Sequence, residues 1–175
     1  MESFLLQIDF VLRLVVALLF GILIGTERNI ALKSAGMRTY GLVSLGSAIF
    51  VAGSVLVEQQ FPAARGLDPL RMASQIVVGI GFLGGGLIFV KNGDVNNLTT
   101  AAGLWVVAGI GMLCGFGLYL FAGFATALAL LVFTVLWHFE QKVKYVGERM
   151  REKRQGGEHP QAPVEKGNNE GEQIG

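Results

Sequence analysis

From residue 95 to residue 139 the chain runs for 45 residues without an Asp, Glu, Lys or Arg. A soluble fold spends roughly a quarter of its residues on charge to cover its surface. A stretch this long and this apolar has to lie in a non-aqueous solvent. About 20 apolar residues at ~1.5 Å rise cross a ~30 Å hydrocarbon core, so the run holds two crossings. The break between them is expected near Cys114-Gly115-Phe116-Gly117. Two further uncharged runs, residues 39–57 and 72–90, are each 19 residues long, one crossing apiece. The N-terminal "IDFVLRLVVALLFGILIG" is long enough for another, although it carries Asp9 and Arg13. With Met1-Glu2 and no basic n-region before it, that stretch reads as a span rather than a signal peptide.

The expected fold is therefore an all-α integral membrane protein, a bundle of about five transmembrane helices near residues 8–26, 38–57, 72–90, 99–115 and 118–138. Charge marks the boundary of this unit. Residues 1–139 hold 13 charged side chains, and the remaining 36 residues hold 14. The domain division is thus 1–139, transmembrane, and 140–175, a basic juxtamembrane segment "QKVKYVGERMREKR" followed by a Gly- and Pro-rich polar tail expected to be disordered. Basic residues at helix ends set the orientation. Five spans with the N terminus outside put eleven Lys and Arg in the cytoplasm and two outside, so a periplasmic N terminus and cytoplasmic C terminus are expected.

The segment "GIGFLGGGLIFV" matches the GxGxxG nucleotide fingerprint through Gly79, Gly81 and Gly84. That fingerprint requires a preceding strand, a following helix and an acidic residue about 20 positions on. The position 20 beyond Gly84 is Leu104, and the flanks are apolar and of membrane length. Close helix packing is the better account, since lipid is as apolar as leucine and membrane helices associate through small residues at four-residue spacing. Gly21 and Gly25, Gly81 and Gly85, and Gly111 and Gly115 have that spacing, and Gly79 and Gly84 are further packing candidates in the third helix. Three successive glycines at 84–86 leave two readings open: a tight crossing, or a third helix kinked or broken to line a site.

Polar groups inside such spans need partners. Asp9 precedes Arg13 by four residues, the order that favours an ion pair on one helix face. Asp68-Pro69 reads as a helix N-cap with proline in the first turn, and Arg71 and Gln75 share the next face, Gln75 needing a partner from another helix. Asn97 or Thr99 is placed to cap the fourth helix. Glu27, Arg28, Arg38, Asn97, Thr99 and Thr100 converge at the cytoplasmic face on this topology, with Thr39 beside Arg38 at the start of the second span. The two histidines, His138 and His159, are far apart along the chain, Cys114 is the single cysteine, and neither GxSxG nor HExxH occurs. Neither an enzyme nor a bound cofactor is expected, and a formal net charge of +1 gives no nucleic-acid partner.

Five separated motifs, IG-x-ER, AG-x-RT, DP-x-R, GIGFLG and LTTAA, occur here in the order in which they occur in the MgtC/SapB family, and residues 10–138 resemble its membrane domain. The family pattern carries Gly-Ala-Gly in the third helix and a glycine before LTTAA, where this sequence has Gly84-Gly85-Gly86 and Asn97. Some members bear an ACT-like soluble domain after the membrane region; the polar end of this sequence does not resemble it. The resemblance implies a bacterial inner-membrane protein tied to magnesium homeostasis, low-magnesium stress adaptation and, in some members, virulence. Of a candidate functional polar cluster of Glu27, Arg28, Arg38, Thr39, Asp68, Arg71, Gln75, Asn97, Thr99 and Thr100, all but Asn97 fall on the family's motif positions, and Asn97 joins them by its place at the cytoplasmic face. Its expected partners are the lipid bilayer, another integral membrane protein or a second copy, and Mg²⁺. Modulation of another membrane protein is the leading expectation. Ion transport through a broken third helix is the alternative, disfavoured because Asp9, Glu27, Glu58 and Asp68 all lie at helix ends and Mg²⁺ prefers oxygen ligands that usually include carboxylates.

Overall fold

The computed structural model describes residues 2–61, 68–91 and 93–136. Arg65 and the whole of 140–175, with the boundary drawn at 139, lie outside the described residues, as do the two histidines. Five helices are long and apolar enough to cross a membrane. They are α1 (Glu2–Ile30), α2 (Met37–Gln60), α3 (Pro69–Leu87), α4 (Leu98–Gly115) and α5 (Tyr119–Leu131), the last continuing as a π-helical turn over Val132–Leu136. The fold is an all-α membrane bundle, and its environment is a lipid bilayer.

α1 has 29 residues, about 44 Å of helix, well over the ~30 Å core. Its two charged pairs, Asp9 with Arg13 and Glu27 with Arg28, sit near its ends; Asp9 and Arg28 are 19 residues and so about 28 Å apart along the axis. A separation close to the ~30 Å core lets the two pairs lie at opposite edges of the apolar slab, where charge costs least.

α1, α2 and α4 form the centre. A Cβ on Gly21 would lie 2.6 Å from the Tyr40 carbonyl oxygen, and one on Gly25 2.5 Å from the Met37 Cα. One on Gly115 would lie 2.7 Å from the Val51 Cβ, and one on Gly111 would overlap the Ser44 backbone. These four glycines let backbone meet backbone. Ser44 is fully buried where the three helices meet, and its hydroxyl donates to the Ala17 carbonyl at 2.7 Å. α5 packs on α1 through Gly123, where a Cβ would meet the Phe20 ring at 3.6 Å.

α4 ends on a Schellman turn. Gly117 has φ +77°, its N–H bonds the Cys114 carbonyl at 2.8 Å, and the Leu118 N–H bonds the Leu113 carbonyl at 2.9 Å. This is the turn expected at 114–117.

The third span departs from expectation. It ends at Leu87 rather than 90, and it stays α-helical through Gly84, Gly85 and Gly86. Of the two readings left open there, the kinked or broken helix is not found: the Ile88 N–H closes on the Gly85 carbonyl at 3.3 Å, and only then does the chain leave the helix. It enters a short antiparallel hairpin, β1 (Phe89–Lys91) and β2 (Asp94–Asn96), with Val90 opposite Val95. The signal lay in Asn92-Gly93, a strong hairpin dipeptide that the apolar run into Val90 masked.

Candidate functional site

Where α1 ends and α2 and α4 begin, the bundle closes on a buried polar knot. Arg28 is 2% exposed, a rare state for arginine unless it is paired. Its Nε bonds the Glu27 carboxylate, its guanidinium lies 3.8 Å from the centre of the Phe133 ring, and its Nη2 donates to the Phe133 carbonyl at 3.4 Å. Neighbours at i and i+1 do not face each other on a helix, so this pair differs from the usual i,i+4 arrangement. Beside it, the fully buried Tyr40 donates its hydroxyl to the Thr100 carbonyl at 3.2 Å. Gly103 makes room for both rings, since a Cβ there would overlap the Tyr40 hydroxyl and sit 2.8 Å from the Phe133 ring.

The knot thus draws in Glu27, Arg28 and Thr100 from the expected cluster. Arg38, Thr39 and Thr99 are exposed and outside it. Asn97 precedes α4 but does not cap it. It sits in the left-handed region at φ 64°, which Asn tolerates, and its Nδ2 donates to the Leu87 carbonyl at 3.1 Å, tying the end of α3 to the start of α4. Sequence reasoning missed Tyr40, Gly103 and Phe133. Tyr40 directly follows Arg38-Thr39, and a tyrosine that deep in an apolar bundle needs a hydroxyl partner, which was the available signal. Phe133 carried none, because its part depends on a π-helical turn.

At the opposite end, Arg13 bonds Asp9 at 2.6 and 2.8 Å, as the spacing implied. It also donates from Nη1 to the Gly115 carbonyl at 2.9 Å, fixing α1 to the turn between α4 and α5. Asp68 caps α3 as expected, accepting from the Leu70 N–H at 2.9 Å with Pro69 in the first turn. Arg71 and Gln75 are exposed, and Gln75 makes no hydrogen bond to another helix among the described residues. Asp68, Arg71 and Gln75 instead border a hollow of about 630 Å³ between α2 and α3.

α3 is the loosely held helix. In its apolar window 6% of residues are buried, against 56% in α4. Gly84 meets Ala101 at ordinary contact distance, 3.7 Å for a Cβ. Gly79, Gly81 and Gly85, expected at helix crossings, have nothing within 4 Å of a Cβ, and the same holds for Gly86. Their helix meets α4 along one narrow side, and they point away from it. Phe82 and Val78, on the same outer side, are 84% and 71% exposed. No three His, Cys, Asp or Glu side chains converge among the described residues.

Residues 14–142 match the model of the MgtC family. YhiD of Escherichia coli (strain K12), named as a candidate magnesium transporter, is 41% identical over 129 residues, 73% of this chain and 60% of its own length. MgtC of Salmonella typhimurium (strain LT2) is 41% identical over 143 residues, 82% of this chain and 59% of its own length. MgtC of Brucella abortus (strain 2308) is 43% identical over 133 residues, 76% of this chain and 53% of its own length. The chain thus spans between about half and three-fifths of these curated relatives. No solved structure matches it. The motifs, the five spans and these matches agree: the chain belongs to the MgtC family.

Proposed function

We propose that this protein serves magnesium homeostasis in a bacterial inner membrane by binding and modulating another integral membrane protein, with its N terminus periplasmic and its C terminus cytoplasmic. The magnesium link rests on the name of YhiD and on the family resemblance. The mode of action rests on one observation, the outer face of α3. Gly81 and Gly85 stand four residues apart with nothing within 4 Å of a Cβ, flanked by exposed Val78 and Phe82. Each helical glycine forfeits about 1 kcal/mol of propensity relative to alanine, and no described residue makes contact in return at these positions. A helix from another protein gains the close approach that they permit. The low-magnesium and virulence associations of the family fit a modulator as well as they fit a carrier.

The test has two arms. Membranes carrying the affinity-tagged protein are solubilised and the co-purifying membrane proteins identified, with Gly81→Leu plus Gly85→Leu as the comparison. The double substitution is expected to abolish a specific partner while leaving the protein folded; a partner retained in full refutes the assignment of this face. In parallel, Mg²⁺ uptake is measured in proteoliposomes of the purified protein. No flux is expected, and flux abolished by Gln75→Leu, an exposed position, overturns the modulator reading in favour of transport.

A further inference from the structure

The hollow beside Asp68 and Arg71 does not end at Gln75. A second hollow of about 520 Å³ adjoins it, shares Phe50, Met72 and Gln75 with it, and continues between α2 and α3 to Leu83. Both volumes fall in the roughly 300–1,000 Å³ range of small-molecule sites. From Asp68 to Leu83 the groove follows 15 residues of α3, about 22 Å, more than half the thickness of a ~30 Å core. It has glycine on both walls, Gly46 and Gly79, neither with an atom within 4 Å of a Cβ. Its mouth is polar and its length apolar, which is the profile of a phospholipid.

We infer that the α2–α3 groove binds one zwitterionic phospholipid with a primary-amine headgroup, a phosphatidylethanolamine, its phosphate on Arg71, its ammonium on Asp68 and one acyl chain along Gly46, Phe50 and Gly79. Charge complementarity carries the assignment. Asp68 and Arg71 are exposed, three residues apart, and neither forms an ion pair with any described residue. They present a negative and a positive charge side by side at headgroup depth, and an ethanolamine headgroup brings the opposite pair on one short tether. The amine type follows from the lining. Quaternary ammonium is held by cages of aromatic rings, and among the described residues Phe50 is the one aromatic side chain along the two hollows. A primary ammonium instead donates N–H bonds, which the Asp68 carboxylate accepts. A purely anionic lipid such as phosphatidylglycerol would satisfy Arg71 and bring no cation to Asp68.

The full-length protein, purified in mild detergent, is mixed with equal amounts of phosphatidylethanolamine, phosphatidylcholine and phosphatidylglycerol, and retained lipid is counted by native mass spectrometry. One retained phosphatidylethanolamine is expected, favoured about tenfold over either competitor, the ratio that one charge-assisted hydrogen bond supplies. Asp68→Asn keeps a capping oxygen and so keeps α3, and it should erase the preference over phosphatidylcholine. Arg71→Gln should reduce retention of all three lipids, and Gly46→Leu should block retention by filling the chain-binding part. Equal retention of the three lipids by the unaltered protein, or a preference for phosphatidylglycerol, overturns the proposal. So does a preference that survives Asp68→Asn, or a lipid-free dimer that excludes all three.

Discussion

Replacing Arg28 by methionine tests whether the buried knot is held by charge. The guanidinium is 2% exposed, and its partners are the Glu27 carboxylate, the Phe133 ring and the Phe133 carbonyl. Methionine preserves much of the volume and removes every one of these interactions. Glu27, 17% exposed at its side chain, is left as a largely enclosed carboxylate without its cation. Breaking a buried pair from one side costs about 3–5 kcal/mol, most of it the stranded charge. Removing both charges strands nothing, so Glu27→Gln with Arg28→Met should cost well under the sum of the single changes. The reporter is already in the chain: Cys114 is the single cysteine and is fully buried. Where thiol labelling follows the opening equilibrium, each ~1.4 kcal/mol is tenfold in rate. Arg28→Met and Glu27→Gln should each label roughly a hundredfold faster or more, and the double variant should fall back toward the unaltered protein. Single variants within about threefold of the unaltered rate, or a double variant equal to the sum, would refute a charge-held knot.

Gly21→Val and Gly111→Val should destabilise by about 1–3 kcal/mol or prevent folding, because their side chains collide with the Tyr40 and Ser44 backbones. Gly81→Ala and Gly85→Ala should instead be neutral or stabilise by up to about 1 kcal/mol each, since nothing lies within 4 Å; unfolding in graded detergent separates the two pairs. Ser44→Ala removes the 2.7 Å bond to Ala17 and should cost about 0.6 kcal/mol, and no more than ~1.7, in the same assay. Gly117→Ala forces a Cβ into the left-handed region at φ +77° and should cost about 1–2 kcal/mol.

The spans were legible because the bilayer imposes a length on any apolar run, and the turn at Gly117 was legible because a reversal between two such runs needs a residue that accepts positive φ. The pair Asp9–Arg13 and the cap at Asp68 follow from local spacing alone. What the sequence concealed depends on which helix faces which. Gly111 and Gly81 carry the same small-residue signature, yet one meets the Ser44 backbone and the other open space. Spacing reports that a face permits close approach, not that a neighbour from the same chain takes it. Arg38 and Thr39 looked equivalent to Glu27 and Arg28 as interface residues, but a single turn of helix decides which side chains point inward. The knot needed Phe133, whose carbonyl is offered to Arg28 from a π-helical turn that no local pattern announces.

α1 is held twice. Arg13 grips the Gly115 carbonyl near one membrane edge, and Arg28 grips the Phe133 carbonyl near the other. A rod pinned at both ends can neither slide along its axis nor roll about it without breaking a charge-assisted bond. α1, α4 and the π-helical turn after α5 therefore behave as a stiff frame. Among the described residues α3 has no such pins: Gly84 rests on Ala101, and Asn97 tethers the last turn. A tilt of α3 about its Leu87 end is therefore the movement that breaks the fewest contacts, and it would open or narrow the α2–α3 groove while the frame stands still.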